Sequence, residues 1–316
     1  LPGAANDGPA KFALAGRAAS APDRAMNSSA DNLRGALLMS VCMAGYGIND
    51  AMMKLASADV GFFQALLVRG LFATTMLALI AWRRGALMVS VPRGDRTILA
   101  WRIVGEVGGT YCFLQALFNM PIANATAILQ SMPLAVTLAG ALFLREPVGW
   151  RRYSAILVGF AGVLIIVRPG SEGFNAYSLW ALAAVCFIVL RDIMTRRLTA
   201  SIPSAFVALL TAFFITLMGA VFAPTQEWRP IGGYEIALLG GAACFLITGY
   251  TSSVAAMRVG DIGFISPFRY TILIWAILSG IVVFGHWPDR WTLIGSAIVV
   301  VTGIYTFYRE RRLAGR

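Results

Sequence analysis

The sequence predicts an all-α membrane protein of ten transmembrane helices, arranged as two five-helix halves that enter the bilayer in opposite orientations. Three observations predict it. First, 58% of the 316 residues are hydrophobic, only 13% are charged, and the mean hydropathy is +0.73. A soluble domain carries about 25% charged residues. Second, the apolar residues fall in runs of about 20, the length of a membrane-spanning helix and about twice that of a barrel strand. A helix satisfies all its backbone hydrogen bonds internally, which the bilayer interior demands. Third, the basic residues fall on alternate connections.

The spans are expected at 35–54, 62–82, 99–119, 124–144 and 152–168 in the first half. In the second half they are expected at 176–196, 203–223, 234–256, 262–284 and 290–308. Residues 1–34 are rich in Ala, Gly, Pro and Ser, lack an apolar segment, and are expected as a disordered tail rather than a signal peptide. Residues 309–316 form a second tail. With the N-terminus on the cytoplasmic side, eighteen of the 26 basic residues lie on that side, and only Lys54, Arg168, Arg229 and Arg290 lie on the other. The asymmetry places both termini in the cytoplasm and requires an even number of spans. Seven tryptophans, Trp82 and Trp150 among them, sit at span ends as interfacial anchors, with Trp275 alone in mid-span.

The net charge of +11 belongs to this topology and not to nucleic-acid binding, because the basic residues are dispersed between apolar runs. Cys42, Cys112, Cys186 and Cys244 lie inside spans with no CxxC spacing and are expected as buried thiols. The sequence has no HExxH, GxSxG or Walker A pattern. One histidine excludes a multi-histidine metal centre. No cofactor or metal is expected, and neither is an enzyme. The partners expected are the lipid bilayer and a small-molecule substrate. A scaffold or receptor that transports nothing remains the alternative of another class.

The two halves resemble each other. Asn49-Asp50-Ala51-Met52-Met53-Lys54 aligns with Arg191-Asp192-Ile193-Met194-Thr195-Arg196 at an offset of 142, and Gly162 and Arg168 align with Gly303 and Arg309 at 141. Five spans per half turns the second copy upside down, an inverted repeat of the kind found in secondary transporters. The stretch Ala116–Gly170, with Pro133 in mid-helix, Glu146 at a helix end, and Gly159 and Gly162 in the fifth span, resembles the EamA-type members of the drug/metabolite transporter superfamily. Phe284–Glu310 resembles the same family's last helix through Gly285, Pro288, Gly295 and Gly303. It departs at His286, where the family usually has an acid. The resemblance implies two EamA repeats, 35–170 and 171–308, in a bacterial-type inner membrane. It implies export or exchange of a small amphipathic metabolite by alternating access. An amino acid is the expected cargo, aromatic ones included, and uptake of a vitamin or cofactor such as riboflavin is the alternative. A monomer or a homodimer is compatible with it.

An ionisable group at mid-bilayer costs about 2.5–3.5 kcal/mol on insertion scales, so such groups face the bundle interior. Arg102 and Glu106, four residues apart, read as a self-neutralising pair or, through Glu106, as a substrate or proton site. Asp50, Arg69, Arg191 and Asp192 read as ion pairs or gates, or as substrate contacts. Gln130 beside Pro133, Arg269, Tyr270, Tyr46, Tyr111, Gln115 and Tyr250 are the expected cavity lining. Any single one of them is more often packing than site. His286 is expected at the surface.

Overall fold

A computed structural model describes residues 21–87, 89–143, 149–170, 174–199, 202–259 and 262–314. Glu146, one of the family features, lies outside them. Among the described residues every regular element is helical: α1 Ala21–Ala56, α2 Phe62–Arg83, α3 Arg93–Asn119, α4 Ile122–Leu129, α5 Met132–Phe143, α6 Trp150–Val167, α7 Tyr177–Arg197, α8 Ser204–Phe222, α9 Gly233–Val259, α10 Ile262–Ile265, α11 Ile272–Val282 and α12 Arg290–Ala314. Among the described residues, eight helical segments are long and apolar enough to cross a membrane, α4 and α5 counting together. The other two expected spans differ for visible reasons. Helix α3 carries Arg93, Asp95, Arg96, Arg102 and Glu106, and the ninth span is interrupted, leaving the shorter apolar stretch Ser266–Val282.

Three expectations need correction. Helix α1 begins at Ala21, inside the stretch expected to be a disordered tail, and its apolar span runs Asp31–Ala56. Helix α3 begins at Arg93, so two arginines expected in a loop stand on its first turns. Cys42 and Cys112 are buried thiols, but Cys186 and Cys244 are exposed.

Helix ends follow local chemistry. Gly85, at φ +64°, ends α2: Ala86 N–H reaches the Ala81 carbonyl at 2.8 Å and Gly85 N–H the Trp82 carbonyl at 3.0 Å. The left-handed residue is what lets both bonds close. Asp289 caps α12, accepting the Thr292 N–H at 2.7 Å. Pro133 has no N–H for the Leu129 carbonyl, and the span breaks between α4 and α5 at Gln130–Ser131. Pro267 starts a 3₁₀ turn, Ser266–Thr271, between α10 and α11.

The helices pair as α1 with α9, α3 with α7, α2 with α8 and α6 with α12. Small residues set each approach. A Cβ on Gly45 would come 2.8 Å from the Phe245 carbonyl oxygen, one on Gly105 2.7 Å from the Arg191 nitrogen, and one on Gly295 2.6 Å from the Gly162 carbonyl oxygen. In lipid, where apolar surfaces gain nothing by leaving the solvent, such close backbone packing drives association. Outward faces carry large apolar side chains, Val282 at 78% exposure among them. A water-facing surface this apolar would aggregate, whereas hydrocarbon solvates it.

Candidate functional site

Charged side chains gather where α3, α7 and α8 meet. Glu106 on α3 accepts from Arg102 at 3.2 Å and from Arg191 of α7 at 3.1 Å. Arg191 also holds its neighbour Asp192 at 2.9 Å. Arg102 donates to Thr195 of α7 at 3.1 Å and to Thr211 of α8 at 2.7 Å. Two cations and two anions thus balance, and each is only partly buried, so solvent or a ligand can reach them. The Arg102–Glu106 pair expected from the sequence forms, and its partners extend it to α7 and α8. Arg102 tethers α7 and α8 together through two threonines that nothing in the sequence singled out.

Tyr46, on α1, packs against the same buried cluster as Phe268 of the 3₁₀ turn. Its ring lies against Gly249 of α9, where a Cβ would come within 2.7 Å of it. The two helix breaks meet nearby: Gln130, at the α4–α5 break, donates to the Arg269 carbonyl in the 3₁₀ turn at 3.3 Å. Expected site residues of α3 and α7 thus meet in one charge network, and those of the two broken spans meet in a separate contact.

Other expected site residues lie elsewhere. Asp50 accepts from Asn49 at 2.9 Å, and Asn49 accepts from Arg69 of α2 at 3.3 Å. The three are 8%, 4% and 6% exposed, and Arg69 Nε finds no hydrogen-bond partner among the described residues. Asn49 is the bridge that the sequence reading passed over. Tyr111 packs in an aromatic group with Phe62 (5.4 Å between centroids), Phe63 (6.2 Å) and Trp180 (5.6 Å). Gln115 presents its carbonyl to Asn119 at 2.9 Å. Tyr250 donates to the Ser204 carbonyl at 2.9 Å, joining α9 to the start of α8. The Tyr270 hydroxyl is buried against Gly303 of α12 without a hydrogen-bond partner among the described residues.

Lys54 went unassigned in the sequence. Its ammonium donates to the Leu117 and Met120 carbonyls at 2.6 and 2.7 Å, at the C-terminal end of α3. A cation there meets orphan carbonyls and the negative end of the helix dipole. His286 sits in a small recess of about 80 Å³ of mixed lining, with Asn124, Asp289, Ile122 and Trp287. Among the described residues no group of three or more His, Cys, Asp or Glu is placed to hold a metal.

Its many long apolar helices make this a multi-pass helical membrane protein, and its likeness to known proteins defines the class. Residues 33–168 match the model of the EamA-like transporter family, and the EamA-type drug/metabolite transporter identified from Ala116–Gly170 stands on that match. An S-adenosylmethionine uptake transporter of Rickettsia felis is 27% identical over 85% of this chain and 90% of its own length. A riboflavin transporter of Vibrio cholerae is 27% identical over 90% and 96%. A pseudopaline exporter of Pseudomonas aeruginosa is 26% identical over 85% and 94%. A crystal structure at 20% identity superposes with a TM-score of 0.59 over 88% of this chain and 98% of that one, a likeness of fold. The chain is a transporter of a small molecule, embedded in a membrane.

Proposed function

We propose that the chain is a secondary transporter for a small amphipathic metabolite bearing both a cationic and an anionic group. It works by alternating access between two inverted repeats, residues 35–170 and 171–308, in a bacterial-type inner membrane with both termini cytoplasmic. The observation that carries the reading is the partly exposed charge network in which Glu106 of α3 meets Arg102 of the same helix and Arg191 of α7. Glu106 offers a carboxylate to a substrate ammonium, and the arginines offer guanidinium groups to a substrate carboxylate. Tyr46 and Gln130 supply contacts for the rest of the molecule. An amino acid meets these demands. So does S-adenosylmethionine, which carries an amino-acid head and an aromatic base, and whose uptake is the role of the Rickettsia felis relative.

The packing supports the inverted repeat. Exchanging α1 with α7 and α3 with α9 turns the α1–α9 contact into the α7–α3 contact, while α2–α8 and α6–α12 map onto themselves. Each half contributes one span broken beside a proline, and transporters place substrate sites at such breaks. One chain holds both halves of the site, so a monomer suffices for transport.

A second reading, a vitamin such as riboflavin, is favoured by the aromatic group around Tyr111 and by the Vibrio relative. Counterflow in proteoliposomes against amino acids, S-adenosylmethionine and riboflavin separates the two. Under the first reading, Glu106→Gln abolishes counterflow of ligands with an ammonium, and Arg269→Ala that of ligands with a carboxylate. Counterflow of riboflavin alone, spared by both substitutions and lost in Tyr111→Ala, establishes the second. No counterflow with any ligand contradicts both.

A further inference from the structure

An apolar groove of about 680 Å³ runs along α3 between α7 and α8. Its floor is Ala100, Ile103, Val104, Val107 and Gly108, and Phe187 and Phe214 are among its walls. At 100° per residue these floor positions share one face of α3, and Arg102 and Glu106 stand on the opposite face. The groove is therefore on the side of α3 away from the charge network. Its polar lining is negligible, so neither a zwitterion nor a run of water is at home there.

The same face of α3 continues past the mouth of the groove through Arg96 and Arg93. Both are exposed, and Arg96 lies one turn before Ala100. Asp95, which would offset them, is buried and falls on the other face. An apolar trough with two exposed cations at one end matches one chemistry: an acyl chain joined to an anionic headgroup. The floor from Ala100 to Gly108 is about 12 Å long at 1.5 Å per residue, close to the depth of one hydrocarbon leaflet, about 15 Å.

We propose that this groove binds one acyl chain of an anionic phospholipid, with its phosphate held by Arg93 and Arg96. The orientation proposed above decides only which leaflet supplies the lipid, here the cytoplasmic one. Basic positions beside a helix crevice recognise lipid headgroups as charge partners. The wedge also has a consequence for the charge network. Arg102 ties α7 and α8 together on one side of α3, and a chain seated on the other side holds their remaining lengths apart.

Native mass spectrometry of the full chain, released from detergent supplemented with phosphatidylglycerol or phosphatidylcholine, tests this without any transport step. Expected is one retained phosphatidylglycerol, preferred at least several-fold over phosphatidylcholine. Arg93→Gln with Arg96→Gln should remove the preference and leave residual binding of both lipids equal. Val104→Trp, which fills the trough, should lower retention of both. Thermal unfolding in the same detergent identifies any variant that fails to fold, and the double arginine variant, altering only exposed side chains, keeps the test decisive. Equal retention of the two lipids by the unaltered chain overturns the proposal. So does an unchanged preference in the double variant, or a second copy of the chain retained in place of lipid.

Discussion

Glu106 receives two guanidinium groups, from Arg102 and Arg191, and among the described residues is the carboxylate that the two share. Glu106→Gln leaves both arginines facing an amide. Breaking a fully buried ion pair costs about 3–5 kcal/mol, and partial solvent access here lowers the expected loss to about 2 kcal/mol. The melting temperature should fall by several degrees, and a variant that melts as the unaltered chain does would show that the network contributes no stability. Outside the spans, Asp289 joins the start of α12 to the end of α6 through Arg168. Partial burial pushes its carboxyl up, but the Thr292 N–H and the Arg168 guanidinium outweigh this and hold it below the usual carboxylate value. A folded pKa lowered in this way stabilises fully above about pH 4 and stops doing so as pH falls through the lowered value. The unaltered chain should therefore melt higher than Asp289→Asn at pH 7, with the gap closing toward pH 3. A gap independent of pH would show that the carboxylate charge is irrelevant. The sequence made Glu106, Arg191 and Arg269 visible because charge in an apolar run is conspicuous. It hid Asn49, Thr195 and Thr211, whose importance depends on which neighbour they face, and it hid Lys54, whose partners are backbone carbonyls.

At the scale of the helix, the apolar runs were legible because hydrophobic length is a property of composition. The ends and breaks were less so. Helix α3 continues back to Arg93 because its first turns are amphipathic, whereas hydropathy marks only the apolar length. Pro133 signalled a disturbed fourth span, and the break at Gln130–Ser131 is its structural expression. The 3₁₀ turn Ser266–Thr271 was foreshadowed only by Pro267. Glycine pairing between helices was invisible as pairing, since one sequence names no partners. It is testable at Gly105, where a Cβ would meet the Arg191 nitrogen at 2.7 Å and the Phe187 carbonyl oxygen at 2.8 Å. Gly105→Ala must separate α3 from α7, and overpacking of this kind costs about 1–3 kcal/mol. Gly94→Ala, with nothing within 4 Å, is the control and should be neutral apart from a slight gain in helix propensity. Equal melting of the two variants would contradict the crossing.

Across the whole molecule, the positive-inside asymmetry and the exchange of helix contacts support the same inverted arrangement from independent sources, one in the connections and one in the packing. A cysteine placed at Trp228 should react with an impermeant reagent from outside the cell, and one at Arg93 only from inside; the reverse pattern would overturn the orientation. Alternating access makes a stronger demand: the two halves must move relative to each other at every turnover. Ile122 of α4 and Gly280 of α11 are neighbours across the halves, a Cβ on Gly280 lying 3.6 Å from the Ile122 side chain. With the four native cysteines replaced, Ile122→Cys and Gly280→Cys can be joined as a disulfide and released by reduction. Counterflow in proteoliposomes should be absent in the oxidised form and return on reduction. Undiminished counterflow across the intact disulfide would contradict alternating access between the two halves.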